Sequence, residues 1–207
     1  MFRRLASLPA LATAFLLSLT LMTGAARANA DAASAYVQEG VNKGLVILGN
    51  KSIPDAERRA QFRDLILSFT DAKKIAHFTL GNYRRGADAA VLDDFVNAFQ
   101  EYAVAVYESR LLNYSNQTLN VTGAVERNAT DFVVEATLDD AGTTYNVGFR
   151  VLGAPGSFQI VDIMVEGIWL AVDQRSQFDS YLAGNGGNIG ALAVYLREQT
   201  ISIRAGN

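Results

Sequence analysis

The 207-residue chain carries 18 basic and 21 acidic residues, one histidine and no cysteine. Without cysteine there is no disulfide scaffold, thiolate metal site or cysteine nucleophile, so the fold is held by packing alone. Residues 1–30 hold three arginines and no acid, which leaves 15 basic against 21 acidic residues, a formal −6, over 31–207. That balance argues against nucleic acid as a partner, and against adhesion to anionic membrane through a basic patch.

Arg3 and Arg4 precede an apolar run from Leu8 to Thr23, and Ala28-Asn29-Ala30 offers the small residues of a signal-peptidase site. The run is shorter than the roughly 20 residues a spanning helix needs. Residues 1–30 therefore read as an export signal cleaved after Ala30, and residues 31–207 as one domain. Helices fill its first half. Val37, Val41, Leu45 and Leu48 form one stripe over Ser34 to Leu48. Pro54 suits the first turn of a second helix, which buries Phe62, Leu65, Ile66 and Phe69 at i, i+3, i+4, i+7 spacing. A short helix runs from Ala72 to about Tyr83. The longest follows from about Ala89 to Leu112, with Leu92, Phe95, Val96, Phe99, Ala103, Val106, Tyr107 and Leu111 on its apolar face.

The second half alternates with period two. Leu119, Val121, Gly123 and Val125 mark one strand; Phe132, Val134, Ala136 and Leu138 a second; Tyr145, Val147, Phe149 and Val151 a third. Turns are expected at 139–142 and 153–156. A fourth strand spans 160–165, with Val161, Ile163 and Val165 on one face and Ile160 and Met164 on the other. Glu166-Gly167 breaks the period, a helix is expected from Ile168, and residues 184–187 stop it. A last helix runs from Ile189 to about Glu198. The expected architecture is α+β: a strongly curved, four-stranded antiparallel sheet with helices laid over one face.

Groups that could do chemistry are sparse. His77 lies on the short helix without neighbours at ligand spacing, and Ser176 has no nucleophile-elbow pattern around it. Asp93-Asp94 and Asp139-Asp140 read as solvated pairs. Asp162 and Glu166 flank Met164 and are expected to pair with Arg150 and Arg175 at the end of the sheet. Residues 184–187 lack the Lys-Ser/Thr of a phosphate-binding loop and read as a helix C-cap. No catalytic residue, metal site or cofactor is assigned.

The run 161–168 (VDIMVEGI), then Gln174-Arg175-Ser176-Gln177-Phe178 and Asn185-Gly186-Gly187, resembles the signature of the MlaC family. Upstream, residues 76–83 (AHFTLGNY) and 95–102 (FVNAFQEY) stand where that family has two further motifs. Phe158, Trp169 and Asn188 depart from its pattern. The resemblance implies a monomeric periplasmic phospholipid carrier, with two partners. One is an inner-membrane ABC transporter with its lipid-binding subunit, the other an outer-membrane lipoprotein–porin complex. It further implies an apolar pocket between sheet and helices. The walls for it would come from Val147, Phe149, Val151, Ile163 and Val165 of the sheet and Phe99, Ala103, Val106 and Tyr107 of the long helix. Ile168 and Leu170 of the turn would complete it. Other readings of the same residues are a ligand-free interaction module with a closed core, a carrier of a polycyclic lipid, and a small hydrolase using His77 or Asp162.

Overall fold

A computed structural model describes residues 12–111 and 117–206. Residues 1–11 of the expected export segment, Leu112 at the expected end of the long helix, and Asn116 of an Asn-Gln-Thr sequence lie outside the described residues. The elements are α1 (Ala12–Gly49), α2 (Asp55–Phe69), α3 (Ala72–Thr79), a 3₁₀ turn (Gly81–Arg84) and α4 (Ala89–Leu111). The strands β1 (Thr118–Asn128), β2 (Asp131–Asp140), β3 (Thr143–Leu152), β4 (Gln159–Val165) and β5 (Ile168–Trp169) follow. Helices α5 (Leu170–Gly184) and α6 (Ile189–Arg204) close the chain.

Most boundaries follow from local chemistry. Pro54 stands at the position before α2 and not inside its first turn, with φ −56° and ψ 148°, the extended backbone that proline favours there. The short helix ends early because Gly81 takes φ +55°, and the chain turns into the 3₁₀ segment. Asp71 caps α3 by accepting the Lys74 N–H at 2.9 Å, and Asn188 caps α6 by accepting that of Ala191 at 3.0 Å. Helix α6 continues past Glu198 to Arg204.

The sheet has five strands in the order β1-β2-β3-β4-β5, all antiparallel, not the four expected. The extra strand comes from Glu166 and Gly167. Both adopt positive φ (48° and 82°), the backbone of a tight two-residue hairpin, so the chain reverses and Ile168 pairs with Val165. Helix α5 accordingly begins at Leu170, two residues later than expected. Ala141 and Gly142, at 51° and 86°, make the same kind of turn between β2 and β3.

A bulge in β4 also changes its faces. Arg150 pairs with Asp162 while Val151 pairs with Ile160, so Val161 is the extra residue. Ile160 therefore shares a face with Ile163 and Val165, contrary to simple alternation. Backbone bonding also fixes what lies beside this strand: Asp71 N–H donates to the Ile160 carbonyl at 3.1 Å, tying the α2–α3 junction to the sheet.

Two clusters of buried apolar residues form the interior. One joins Ala33 and Val37 of α1 to Phe132, Val134, Ala136, Val147, Phe149, Val151, Phe158 and Ile160 of the sheet region. Phe69, Tyr36, Phe158 and Phe132 form an aromatic ladder through it, with successive ring centroids 4.9, 5.8 and 5.7 Å apart. Burial, with Glu39 nearby, pushes the Tyr36 phenol up to about 12, and its hydroxyl donates to the Phe69 carbonyl at 3.0 Å. The second cluster is helical. Ala76, Phe95, Val96, Phe99, Phe178, Leu182, Leu192 and Leu196 pack where α3, α4, α5 and α6 meet. Phe178 stands edge-on to Phe95 and Phe99 at 6.0 and 6.3 Å.

Candidate functional site

The inner face of the sheet presents a continuous apolar surface. Register places Phe132 opposite Val151, Val134 opposite Phe149 and Ala136 opposite Val147 across β2 and β3. Across β3 and β4 it places Val147 opposite Val165, Phe149 opposite Ile163 and Val151 opposite Ile160. Val165 in turn pairs with Ile168. Directly opposed residues share a face, so Val147, Phe149, Val151, Ile163, Val165 and Ile168 form one continuous wall. Burial along it is graded. Val151 is fully buried and Val147 and Phe149 nearly so, Ile163 and Val165 are half-buried, and Ile168 is 59% exposed at the rim. Leu170, half-buried, begins α5 just beyond that rim.

The expected residues of the long helix sit differently. Phe99 is buried within the helical cluster, and half-buried Ala103 packs against the same cluster. Val106 and Tyr107, further along α4, are half-buried. The principal neighbours of α4 are α6, α3 and α2, while α1 is the helix laid on β1 and β2. Phe99 and Ala103 thus belong to a cluster separate from that of the sheet wall.

Polar groups near the wall are used for construction. Arg150 grips Asp131 through two hydrogen bonds, Nε to Oδ1 at 3.2 Å and Nη2 to Oδ2 at 2.9 Å, which holds the guanidinium protonated. Asp162 is buried, and its Oδ1 accepts the N–H groups of Ile163 and Ala171, each at 2.8 Å. Ala171 lies in the first turn of α5, where backbone N–H groups have no partner inside the helix. Asp162 therefore anchors that helix end to β4. Glu166 accepts the N–H of Asn146 in the neighbouring strand β3, and Arg175 stacks over the Phe78 ring 5.2 Å from its centroid. The expected pairing of Asp162 and Glu166 with Arg150 and Arg175 is thus realised only as the juxtaposition of Arg150 and Asp162.

Burial pushes the Asp162 carboxyl above the usual carboxylate range, against the pull of the two N–H groups and Arg150. The folded state then binds its proton more tightly than the unfolded chain does. Between the ordinary carboxylate pKa and the raised one, stability falls as pH rises. Asp162→Asn keeps an acceptor oxygen and is expected to flatten the stability curve just above the ordinary carboxylate pKa, read in thermal melts at acidic pH. Asp162→Ala removes the acceptor from two N–H groups and is expected to cost about 1–3 kcal/mol.

Sequence reasoning did not find a second polar network, on the outer side of α4. Glu101 accepts from Arg63 and from Arg204 Nη2 at 3.0 Å, and buried Glu108 lies 3.9 Å from Arg204. Burial alone would raise the Glu101 pKa, but the hydrogen bonds from Arg63 and Arg204 outweigh it and hold the carboxyl low. Burial pushes the Glu108 carboxyl up against the pull of Arg204 and Arg59. The contacts join α2, α4 and α6 across more than a hundred positions, so no local pattern announces them.

His77 is half-buried, and its Nε2 is buried without a hydrogen-bond partner, so it does not engage Ser176. Among the described residues no group of three His, Cys, Asp or Glu side chains could hold a metal ion, and no helix is long and apolar enough to cross a membrane. One surface cleft of about 410 Å³ opens between Tyr83, Arg85 and Val91 and the loop at Gly187 and Asn188. It shares no residue with the expected walls.

An antiparallel sheet whose inner face is apolar from β2 to β5, beside a separate helical cluster, defines an α+β domain built around that wall. The chain belongs to the MlaC protein family, whose model matches residues 38–198. Among solved structures, a phospholipid-binding protein from Ralstonia solanacearum, determined in complex with a phospholipid, is similar. The two share 24% identity and a TM-score of 0.73, over 83% of this chain and 98% of that one. No curated protein matches the chain.

Proposed function

We propose that this protein is a periplasmic phospholipid carrier. Membership of the MlaC family and a fold shared with a phospholipid-bound protein support the reading. Within the chain, the observation that carries it is the graded inner wall of the sheet. Its half-buried stretch at Ile163 and Val165 suits acyl chains, and its exposed end at Ile168 suits the transition to a head group. Val147, Phe149, Val151, Ile163, Val165, Ile168 and Leu170 line the lipid on one side. Phe99 and Ala103 of α4 are taken up by the helical cluster, so of the expected helix residues Val106 and Tyr107 are left for the other side of the lipid. Each CH₂ removed from water contributes about 0.8 kcal/mol, so a carrier of this kind needs apolar area and no reacting group.

In this reading the chain is exported, cleaved after Ala30 and shuttles lipid as a monomer. Its partners are an outer-membrane lipoprotein–porin complex and an inner-membrane ABC transporter with its lipid-binding subunit, and the traffic maintains outer-membrane lipid asymmetry. Cleavage there would leave Ala33 and Val37, the α1 residues buried in the sheet cluster, within the mature protein. Intact mass of the exported protein is expected to correspond to a chain starting at Asp31.

Native mass spectrometry of protein purified without detergent tests the main claim. The expected result is about one phospholipid per chain, with a lower melting temperature after delipidation, because a ligand that binds only the folded state stabilises it by mass action. A clean lipid-free mass, with no uptake on incubation with vesicles, would instead identify a closed-core interaction module.

A further inference from the structure

A second cavity, of about 130 Å³, lies among α4, α5 and α6, within the helical cluster and away from the sheet. Tyr102, Phe178, Tyr181 and Tyr195 line it, with Gln174, Gln177 and Leu196. Tyr181 and Tyr195 stack with centroids 5.0 Å apart, and the Tyr181 hydroxyl donates to the Ala191 carbonyl at 3.3 Å, which fixes the pair against α6. Phe178 is held by its edge-on contacts with Phe95 and Phe99. The lining is therefore preset by packing. None of its residues carries a positive charge. Gln177 donates to Asp173 at 2.8 Å, which places a carboxylate beside these amides, and Gln174 donates to the Gln177 carbonyl at 3.5 Å.

From this combination we infer that the Tyr102–Tyr181–Tyr195 cavity binds a quaternary ammonium group, of the trimethylammonium type found in choline and in choline head groups. Aromatic faces are electronegative, and a cation within about 6 Å of several of them is attracted without needing a counter-charge. Size selects the ligand. A cavity of about 150 Å³ takes a benzene molecule, so this one admits a group of roughly five to seven heavy atoms and excludes an acyl chain. Chemistry narrows it further. Ammonium or a metal ion would exchange a full hydration shell for rings and amides, whereas a trimethylammonium group has no N–H to satisfy and presents methyls to the tyrosines. The site is separate from the sheet wall and does not depend on the carrier reading.

Isothermal titration of the purified exported protein with choline, tetramethylammonium and 3,3-dimethylbutan-1-ol tests the inference. The last is the neutral carbon isostere of choline and separates charge from shape. The expected result is one saturable site for both cations, with the isostere at least about tenfold weaker. Tyr195 is 38% exposed, so Tyr195→Ala should fold; it is expected to weaken choline binding about tenfold, while Tyr195→Phe retains it. Equal binding of choline and its isostere would overturn the inference, as would saturation unchanged by Tyr195→Ala or no saturation by any probe. Protein loaded from phosphatidylcholine vesicles, compared with protein loaded from phosphatidylglycerol vesicles, identifies the source of the group. Loss of choline binding only in the first assigns the cavity to the head group of the cargo. Retention in both assigns it to a free small cation, and either result supports the site. Unchanged lipid uptake by Tyr195→Ala would leave the carrier reading standing even if the cavity failed.

Discussion

Ile163→Trp is expected to give a folded protein that is purified nearly empty of lipid. Ile163 stands in the middle of the inner wall, opposite Phe149, and is only half-buried although its neighbours Phe149 and Val147 are covered. Space in front of it is what the carrier reading assigns to acyl chains. An indole there takes up volume that lipid would fill, while the β4 backbone bonds on either side stay intact. If protein instead fills that space, the extra atoms overpack it and cost about 1–3 kcal/mol. Ala103→Trp gives the matching control from the helix side, because Ala103 already packs against the helical cluster and should show the overpacking cost. Lipid occupancy by native mass spectrometry and stability by urea unfolding, measured on both proteins, separate the two outcomes. An Ile163→Trp protein with normal lipid content would remove the wall from the carrier mechanism.

The largest loss of stability is expected at the two fully buried phenylalanines, Phe95 in the helical cluster and Phe132 in the sheet cluster. Truncation of either to alanine should cost about 3–5 kcal/mol, from lost burial and from the cavity left behind. Against a typical total of about 5–15 kcal/mol, either change brings the domain near unfolding. The milder pair Phe95→Leu and Phe132→Leu tests how the interior is divided. Their residues belong to different clusters, so the double mutant is expected to match the sum of the single costs within about 0.5 kcal/mol. Coupling larger than that would mean that one continuous core had been mistaken for two.

Much of this architecture was legible because its patterns are local. The i, i+3, i+4, i+7 spacing of Phe62, Leu65, Ile66 and Phe69 marks α2, and the alternation of Phe132, Val134 and Ala136 marks β2. Hairpin connections then fix which strands are neighbours, so the sheet side of the wall could be read before its register was known. Strand β5 could not be, since two residues are too short to show a period and only the backbone of Glu166 and Gly167 reveals the reversal. The bulge at Val161 escaped for a related reason: five apolar residues in six positions fit either phase of the alternation. For α4 the stripe announced an apolar face but not its partner. Phe99 and Ala103 turned out to pack on other helices, a choice made by contacts across the whole chain.

The division of the interior into two clusters has a consequence for how such a chain can drift over generations. In a single interlocked core, a change of volume at one position must be answered by its neighbours before the next is tolerated. Here a substitution at Leu192 need be answered only among the helices, and one at Val134 only within the sheet and α1. Each half can therefore accumulate its own compensating changes along an independent path. The position least free to vary is the stitch between sheet and helices at Asp162, whose side chain accepts the Ala171 N–H.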